Sequence, residues 1–250
     1  MFEPEDLSED AFLGGALRIC QPKQGFRSGL DAVLLAASVR GMAREHVLEV
    51  GAGAGVASLC LARRVRELAV TGLEIDPDLA QLANRNAVQN GLASAVRFEA
   101  GSLEDAPASI ARTSFAHVFA NPPYMEEGAA MPARDPGRMI ARLGPQGVLD
   151  AFADFCLRRA ESGGSVTLIH RADRLSRLLT AFEEKLGAIK VFPLWPRLGV
   201  AAKRVIVSGR KGSRAPLTLC AGLVLHGEGN AFTPEAEAVL RGGGALLLDD

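Results

Sequence analysis

The chain has 250 residues, 48% of them hydrophobic, and its 28 Lys and Arg against 29 Asp and Glu leave a formal net charge of −1. That is ample material for a core, but no bulk charge for nucleic acid, so such a partner would have to be met by a local patch. Four cysteines, Cys20, Cys60, Cys156 and Cys220, include no Cys-x-x-Cys pair and fit buried free thiols in a reducing compartment; no metal site is expected. The acidic start lacks a basic-then-apolar leader, and no apolar run reaches the ~18 residues of a membrane span. These features predict a soluble cytoplasmic protein with no membrane partner.

The first residues, Phe2–Asp10, are polar and read as loosely ordered. Ala11–Cys20 reads as two short strands around Gly14-Gly15, and Ser28 and Asp31 have capping-box spacing before a helix over Ala32–Val39. His46–Val50 is a short apolar strand interrupted by Glu49. Gly51, Gly53 and Gly55 then alternate, and helix-forming residues follow to about Arg66. A strand, a glycine turn and a helix place a ligand-binding crevice at the strand's carboxyl end. The third glycine is not at position 56, where the dinucleotide fingerprint needs it, which counts against a nicotinamide-dependent oxidoreductase. A second strand, Leu68–Leu73, ends in Glu74-Ile75-Asp76-Pro77. An acid a little over twenty residues after the first glycine suits two vicinal ribose hydroxyls, so Glu74 is a candidate ribose ligand. Asp76 before Pro77 reads as the cap of a helix over Asp78–Asn90. Ala95–Phe98 is the third strand and leads to Ser102.

The fourth strand, Phe115–Ala120, carries a lone His117, read as structural, and ends in Asn121-Pro122-Pro123-Tyr124. Two prolines stiffen that loop and remove two amide donors, leaving acceptors: the Asn121 side-chain oxygen and the Pro122 carbonyl. Two acceptors fit an –NH2 group. By gripping its hydrogens they draw the nitrogen towards tetrahedral geometry and free its lone pair, which favours the transition state. Tyr124, the only tyrosine, would stack on a planar substrate. Asn121, Pro122 and Tyr124 are therefore the candidate catalytic residues; the bland alternative is a Pro-Pro turn that merely ends a strand.

Met125–Gly144 reads as a long connection carrying Arg134, Arg138 and Arg142, suited either to phosphates or to solvent. A helix over Val148–Ala160, a strand Ser165–His170, a helix Asp173–Leu186 and an antiparallel pair, Ile189–Trp195 and Lys203–Ser208, follow. Lys203, Arg204, Arg210, Lys211 and Arg214 form a basic run that is either a solvated turn or, if gathered on one edge, a nucleic-acid contact.

Glu49-x-Gly51-x-Gly53-x-Gly55 resembles the first motif of S-adenosylmethionine-dependent methyltransferases, and Asn121–Tyr124 resembles the fourth motif of their amino-methylating members. Gln21–Ala36 and the tail around Leu223–Leu240, with His226 and Phe232–Ala236, resemble the bacterial tRNA1(Val) adenine-N6-methyltransferase family. The resemblance spans nearly the full length. It implies a Rossmann-like class I α/β fold: a seven-stranded, mostly parallel sheet with helices on both faces and an antiparallel last strand. Residues 1–45 would form an N-terminal hairpin and helix on the cofactor side, and 46–250 the methyltransferase domain. It also implies S-adenosylmethionine as cofactor, held by Glu49, Gly51, Gly53, Gly55, Glu74, Ile75, Ser102 and Asn121, with Arg27 and Asp31 from the pre-sheet segment. The family often has Asp where Ser102 stands, to bind the cofactor's adenine. Asp31 remains open between a helix-start residue and a wall of the methionine pocket. The expected reaction is methyl transfer to N6 of an adenine in tRNA. Alternatives are a release-factor glutamine amide, although the Pro-Arg-x-x-Thr-Glu segment of those enzymes is absent, an rRNA guanine N2, or a non-catalytic cofactor-binding module.

Overall fold

The computed structural model describes residues 2–124 and 136–248, with side chains omitted for 136–143, 145 and 146. Strands β1 (Leu7–Phe12) and β2 (Leu17–Pro22) pair antiparallel around the expected glycine turn. Strand β1 begins inside the stretch expected to be loosely ordered. Its polar residues have partners that local sequence does not reveal: Arg27 donates to Ser8 Oγ at 2.6 Å and to Asp10 Oδ2 at 2.6 Å. Buried Gln21 ties the same loop down, donating to Ser28 O at 3.1 Å and accepting from Ser28 N at 2.8 Å.

The remaining elements are α1 (Leu30–Ser38), β3 (His46–Val50), α2 (Val56–Arg64), β4 (Ala69–Glu74), α3 (Pro77–Gln89), β5 (Val96–Ala100), α4 (Ala108–Ala111), β6 (Phe115–Ala120), α5 (Pro136–Arg159), β7 (Ala160–Arg171), α6 (Leu175–Glu183), β8 (Leu186–Trp195), β9 (Arg204–Lys211), β10 (Thr218–Leu219), β11 (Leu223–Val224) and α7 (Pro234–Leu240). The main sheet has the order β10-β8-β9-β7-β6-β3-β4-β5. Its seven long strands match the expectation, and β9 runs antiparallel between β7 and β8. Among the described residues the count is corrected to nine, because the two-residue strands β10 and β11 add parallel to β8.

Alternate residues of the central strands feed two cores. Val47, Phe119 and Ile169 face α1, α2 and α3, while Leu48, Val118 and Leu168 face α5 and α6. This double burial is why these strands read as near-continuous apolar runs. The hairpin is joined to the sheet's helices by two asparagines one turn apart, Asn86 on α3 and Asn90 at its C-cap. Asn86 and Asn90 each offer an amide to the β2 backbone, at Cys20 and Arg18, with contacts of 2.7–3.0 Å.

Several boundaries move. The helix expected to reach Leu186 stops at Glu183, because Leu186 already pairs with Lys211 in the sheet. The expected loop 125–144 lies partly outside the described residues, and Arg134 with it. From Pro136 the chain is helical, broken at Gly144 (φ 67°). Cys60, Cys156 and Cys220 are buried free thiols, but Cys20 is only half-buried. Among the described residues no helix is long and apolar enough to cross a membrane.

Candidate active site

Strand order reverses between β3 and β6: the chain goes from β3 to β4 and β5 on one side, then returns to β6 and β7 on the other. Such a switch point opens a crevice at the strands' carboxyl ends. The register Val50↔Ala120 ends adjacent strands at the same level, so Gly51 and Asn121 are the first residues beyond two neighbouring strand tips. Ala120↔Leu168 likewise brings the position of Pro122 beside that of His170 on β7.

The glycine turn is held from below. Gly51 N and Ala52 N donate to Leu73 O at 2.8 and 3.0 Å. Gly53 adopts φ 56° and Gly55 φ 87°, values that side chains rarely accept. The two differ in surroundings. A Cβ on Gly55 would lie 2.6 Å from Phe98 Cζ, whereas one on Gly53 would meet nothing within 4 Å. Gly55 is thus required by packing, and Gly53 faces open space where a ligand can approach the backbone.

Glu49 lies under the turn and does not line it. Its Oε2 accepts from Ser58 N (2.9 Å) and Ser58 Oγ (2.5 Å), in the first turn of α2, so it caps that helix from the neighbouring strand. Burial pushes its carboxyl up to about 8, against the Ser58 hydrogen bonds. Glu74 ends β4 with Oε2 accepting from Gly53 N (2.7 Å) and Oε1 from Asp76 N (3.0 Å). Burial raises its pKa, which those two backbone donors oppose. Each oxygen retains acceptor capacity, which fits a pair of vicinal hydroxyls. Asp76 caps α3 as expected, accepting from Asp78 N (2.8 Å) and Leu79 N (3.3 Å). Ile75 is partly buried beside it. Ser102 Oγ accepts from Asp105 N (2.9 Å), which orders the loop after β5 and leaves its hydroxyl proton free to donate.

At the tip of β6, Asn121 Oδ1 is hidden from solvent and has no hydrogen-bond partner among the described residues. A buried acceptor left unmade costs about 1–3 kcal/mol, so its presence beside the open turn marks a place for an incoming donor. His170 Nδ1 is likewise buried and without a partner among the described residues, and burial lowers that imidazole's pKa to about 4, keeping it neutral. Its ring meets Tyr124 edge-on at 4.8 Å. Burial also raises the Tyr124 phenol well above its usual range, so it stays protonated.

Two expectations change here. Helix α1 has Gly29 as its N-cap and no side-chain cap, so Ser28 and Asp31 form no capping box. Asp31 instead accepts from Tyr124 and pairs with Arg204 at 3.0 Å. The basic run is no single patch. Arg204 starts β9 at the crevice, whereas Arg210 and Lys211 end it, about 23 Å away at ~3.3 Å per residue. There they donate to Gly163 O and to Leu157 O and Ala160 O. The reason is that β9 is extended: its antiparallel run starts Arg204 at the crevice and carries Arg210 and Lys211 to the opposite end of the strands. Arg27 is engaged by the hairpin, and His117 is structural, bonded to Ser165 Oγ (2.6 Å) and Glu45 (3.1 Å). His170 was not singled out from sequence, although its place at a strand's carboxyl end was the available signal.

The residues present fit S-adenosylmethionine: an open backbone at Gly53, a buried carboxylate at Glu74 with spare acceptor capacity, and an unpartnered oxygen at Asn121. Residues 43–186 match the family model described as "Methyltransferase domain". The chain is 27% identical over 92% of its length, and 92% of the relative's, to a tRNA1(Val) (adenine(37)-N6)-methyltransferase of Porphyromonas gingivalis. It is 28% identical over 81% of its length, and 89% of the relative's, to the protein of that name from an Enterobacter species. A crystal structure of a predicted O-methyltransferase from Agrobacterium tumefaciens, 26% identical, superposes with TM-score 0.71 over 87% of this chain and 98% of that one. Family match, sheet order and crevice agree: the chain belongs to the methyltransferase-domain family, as an enzyme of S-adenosylmethionine-dependent methyl transfer.

Proposed function

We propose that the methyl acceptor is the exocyclic N6 of an adenine in tRNA. The observation that carries this reading is the solvent-hidden, unpartnered Asn121 Oδ1 beside the glycine turn. It is an acceptor, followed by two prolines that cannot donate, and so it suits a group bearing N–H bonds. Asn121 Oδ1 and the Pro122 carbonyl take the two amine hydrogens. That grip weakens lone-pair delocalisation into the ring and points the pair along the attack direction. Tyr124 orients the planar base. The cofactor would supply an electrophilic methyl on a sulfonium, so the amine needs no deprotonation before attack; its surplus proton leaves to water afterwards, and His170, its pKa lowered to about 4, is too weak a base to be needed. Gly51, Gly53 and Gly55 offer backbone to the cofactor, Glu74 its two oxygens, Ile75 an apolar side chain and Ser102 a hydroxyl. Glu49 acts from beneath by fixing α2, and residues 1–45 close the cofactor side of a domain running from 46 to 250. Arg27 and Asp31 belong to that cover.

The two named relatives that methylate adenine in tRNA support this acceptor over a protein amide. A tRNA substrate would place the chain in the cytoplasm. The test uses tritiated S-adenosylmethionine with an unmodified valine tRNA transcript and, separately, total cell protein. Label in N6-methyladenosine is expected, with Asn121→Ala reducing the rate by about 100-fold or more. Label in protein only, or an undiminished rate for Asn121→Ala, overturns the proposal.

A further inference from the structure

Three residues from distant parts of the chain meet on the ring of Tyr124. Its hydroxyl donates to Asp31 Oδ2 at 3.2 Å, and Arg204 Nε donates to the same oxygen at 3.0 Å. The Arg204 guanidinium lies over the ring, its central carbon 4.6 Å from the centroid. Arg204 also donates to Lys203 O at 3.3 Å, which steadies it at the start of β9. His170 contacts the ring nearly perpendicular, at 80°.

This is not a solvated surface pair. The Asp31 and Arg204 side chains are 19% and 34% exposed, and they come from α1 and β9, 173 residues apart. Because one carboxylate oxygen holds both the phenol and the cation over the ring, Tyr124 cannot turn without breaking the hydrogen bond and the cation–π contact together. Only a planar guanidinium does both jobs, since a lysine could pair with Asp31 but not lie flat on the ring.

We propose that Asp31 and Arg204 are positioning residues that fix the orientation of Tyr124 and so set how the acceptor base is presented to Asn121. This rests on the reading that a planar base is bound at Tyr124. Neither residue touches the reacting atoms; both act through the tyrosine.

A double-mutant cycle tests this, because residues acting through one another are non-additive. Single-turnover kcat/KM for the valine tRNA transcript is measured for Arg204→Met, Asp31→Asn and Tyr124→Ala, singly and combined. Binding of S-adenosylhomocysteine and the melting temperature are followed alongside. Arg204→Met and Asp31→Asn should each cost about tenfold in the native background and less than about twofold when Tyr124 is already alanine, and Arg204→Met should leave cofactor-product affinity unchanged. Arg204→Lys carries the same cycle should the methionine variant unfold. Additive losses, or weakened S-adenosylhomocysteine binding by Arg204→Met, overturn the proposal. Asn121→Ala separates the two failures. If that variant is inactive and the cycle is additive, only the positioning role falls; if it remains active, the acceptor reading falls.

Discussion

Substituting alanine at Gly53 and at Gly55, two residues apart in one turn, should damage different properties. At Gly53 the added methyl meets nothing within 4 Å, so its stability cost is the left-handed φ of 56° alone, about 1 kcal/mol. For a chain of this length that lowers Tm by about 2–4 °C. The methyl would project into the space assigned to the cofactor, and a loss of tenfold or more in S-adenosylhomocysteine affinity, about 1.4 kcal/mol, is expected. At Gly55 the same φ strain is joined by overlap with Phe98 Cζ at 2.6 Å. Phe98 cannot retreat, because its ring also covers Gly72, where a Cβ would lie only 2.3 Å from Phe98 Cδ1. Overpacking adds about 1–3 kcal/mol, so Tm should fall by roughly 5–15 °C. Differential scanning fluorimetry and titration calorimetry read the two effects. Native affinity in folded Gly53→Ala would refute the assignment of that open space to the cofactor.

Glu49 and Asn86 supply further tests. With its folded-state carboxyl raised to about 8 from 4.5, Glu49 keeps a proton in the native protein that the unfolded chain has released. Stability should therefore fall as pH rises from about 5 to 8, and Glu49→Gln should flatten that slope; equal slopes in urea titrations would remove Glu49 as the cause. Asn86 is fully buried and bridges Cys20 of the hairpin to Ala54 O of the glycine turn at 2.9 Å. Asn86→Ala should cost about 2–4 kcal/mol by stranding those backbone groups, and it should speed proteolysis within β1 and β2 before the rest of the chain. Uniform proteolysis would show that the hairpin is held by other contacts.

What local sequence determined was the set of features whose physics is local. Apolar runs marked the central strands because both faces are buried. Asp76-Pro77 marked a helix start because the carboxylate caps the two residues that follow. Alternating glycines marked a turn because positive φ needs them, and Asn121–Tyr124 announced acceptors without donors. Side chains whose partners lie far along the chain could not be read in this way. Asp31 has the spacing of a cap, yet its carboxylate goes to Arg204, and nothing near either residue announces the other. Lys203–Arg214 looks like one basic patch, but an extended strand sets Arg204 at the crevice and Lys211 at the far end of the sheet. Glu49 sits in a ligand motif, yet its oxygen is taken up by Ser58. Backbone conformation is dictated over a few residues, whereas the partner of a buried charge is chosen by whatever the fold brings within 3 Å, and only the tertiary structure decides that.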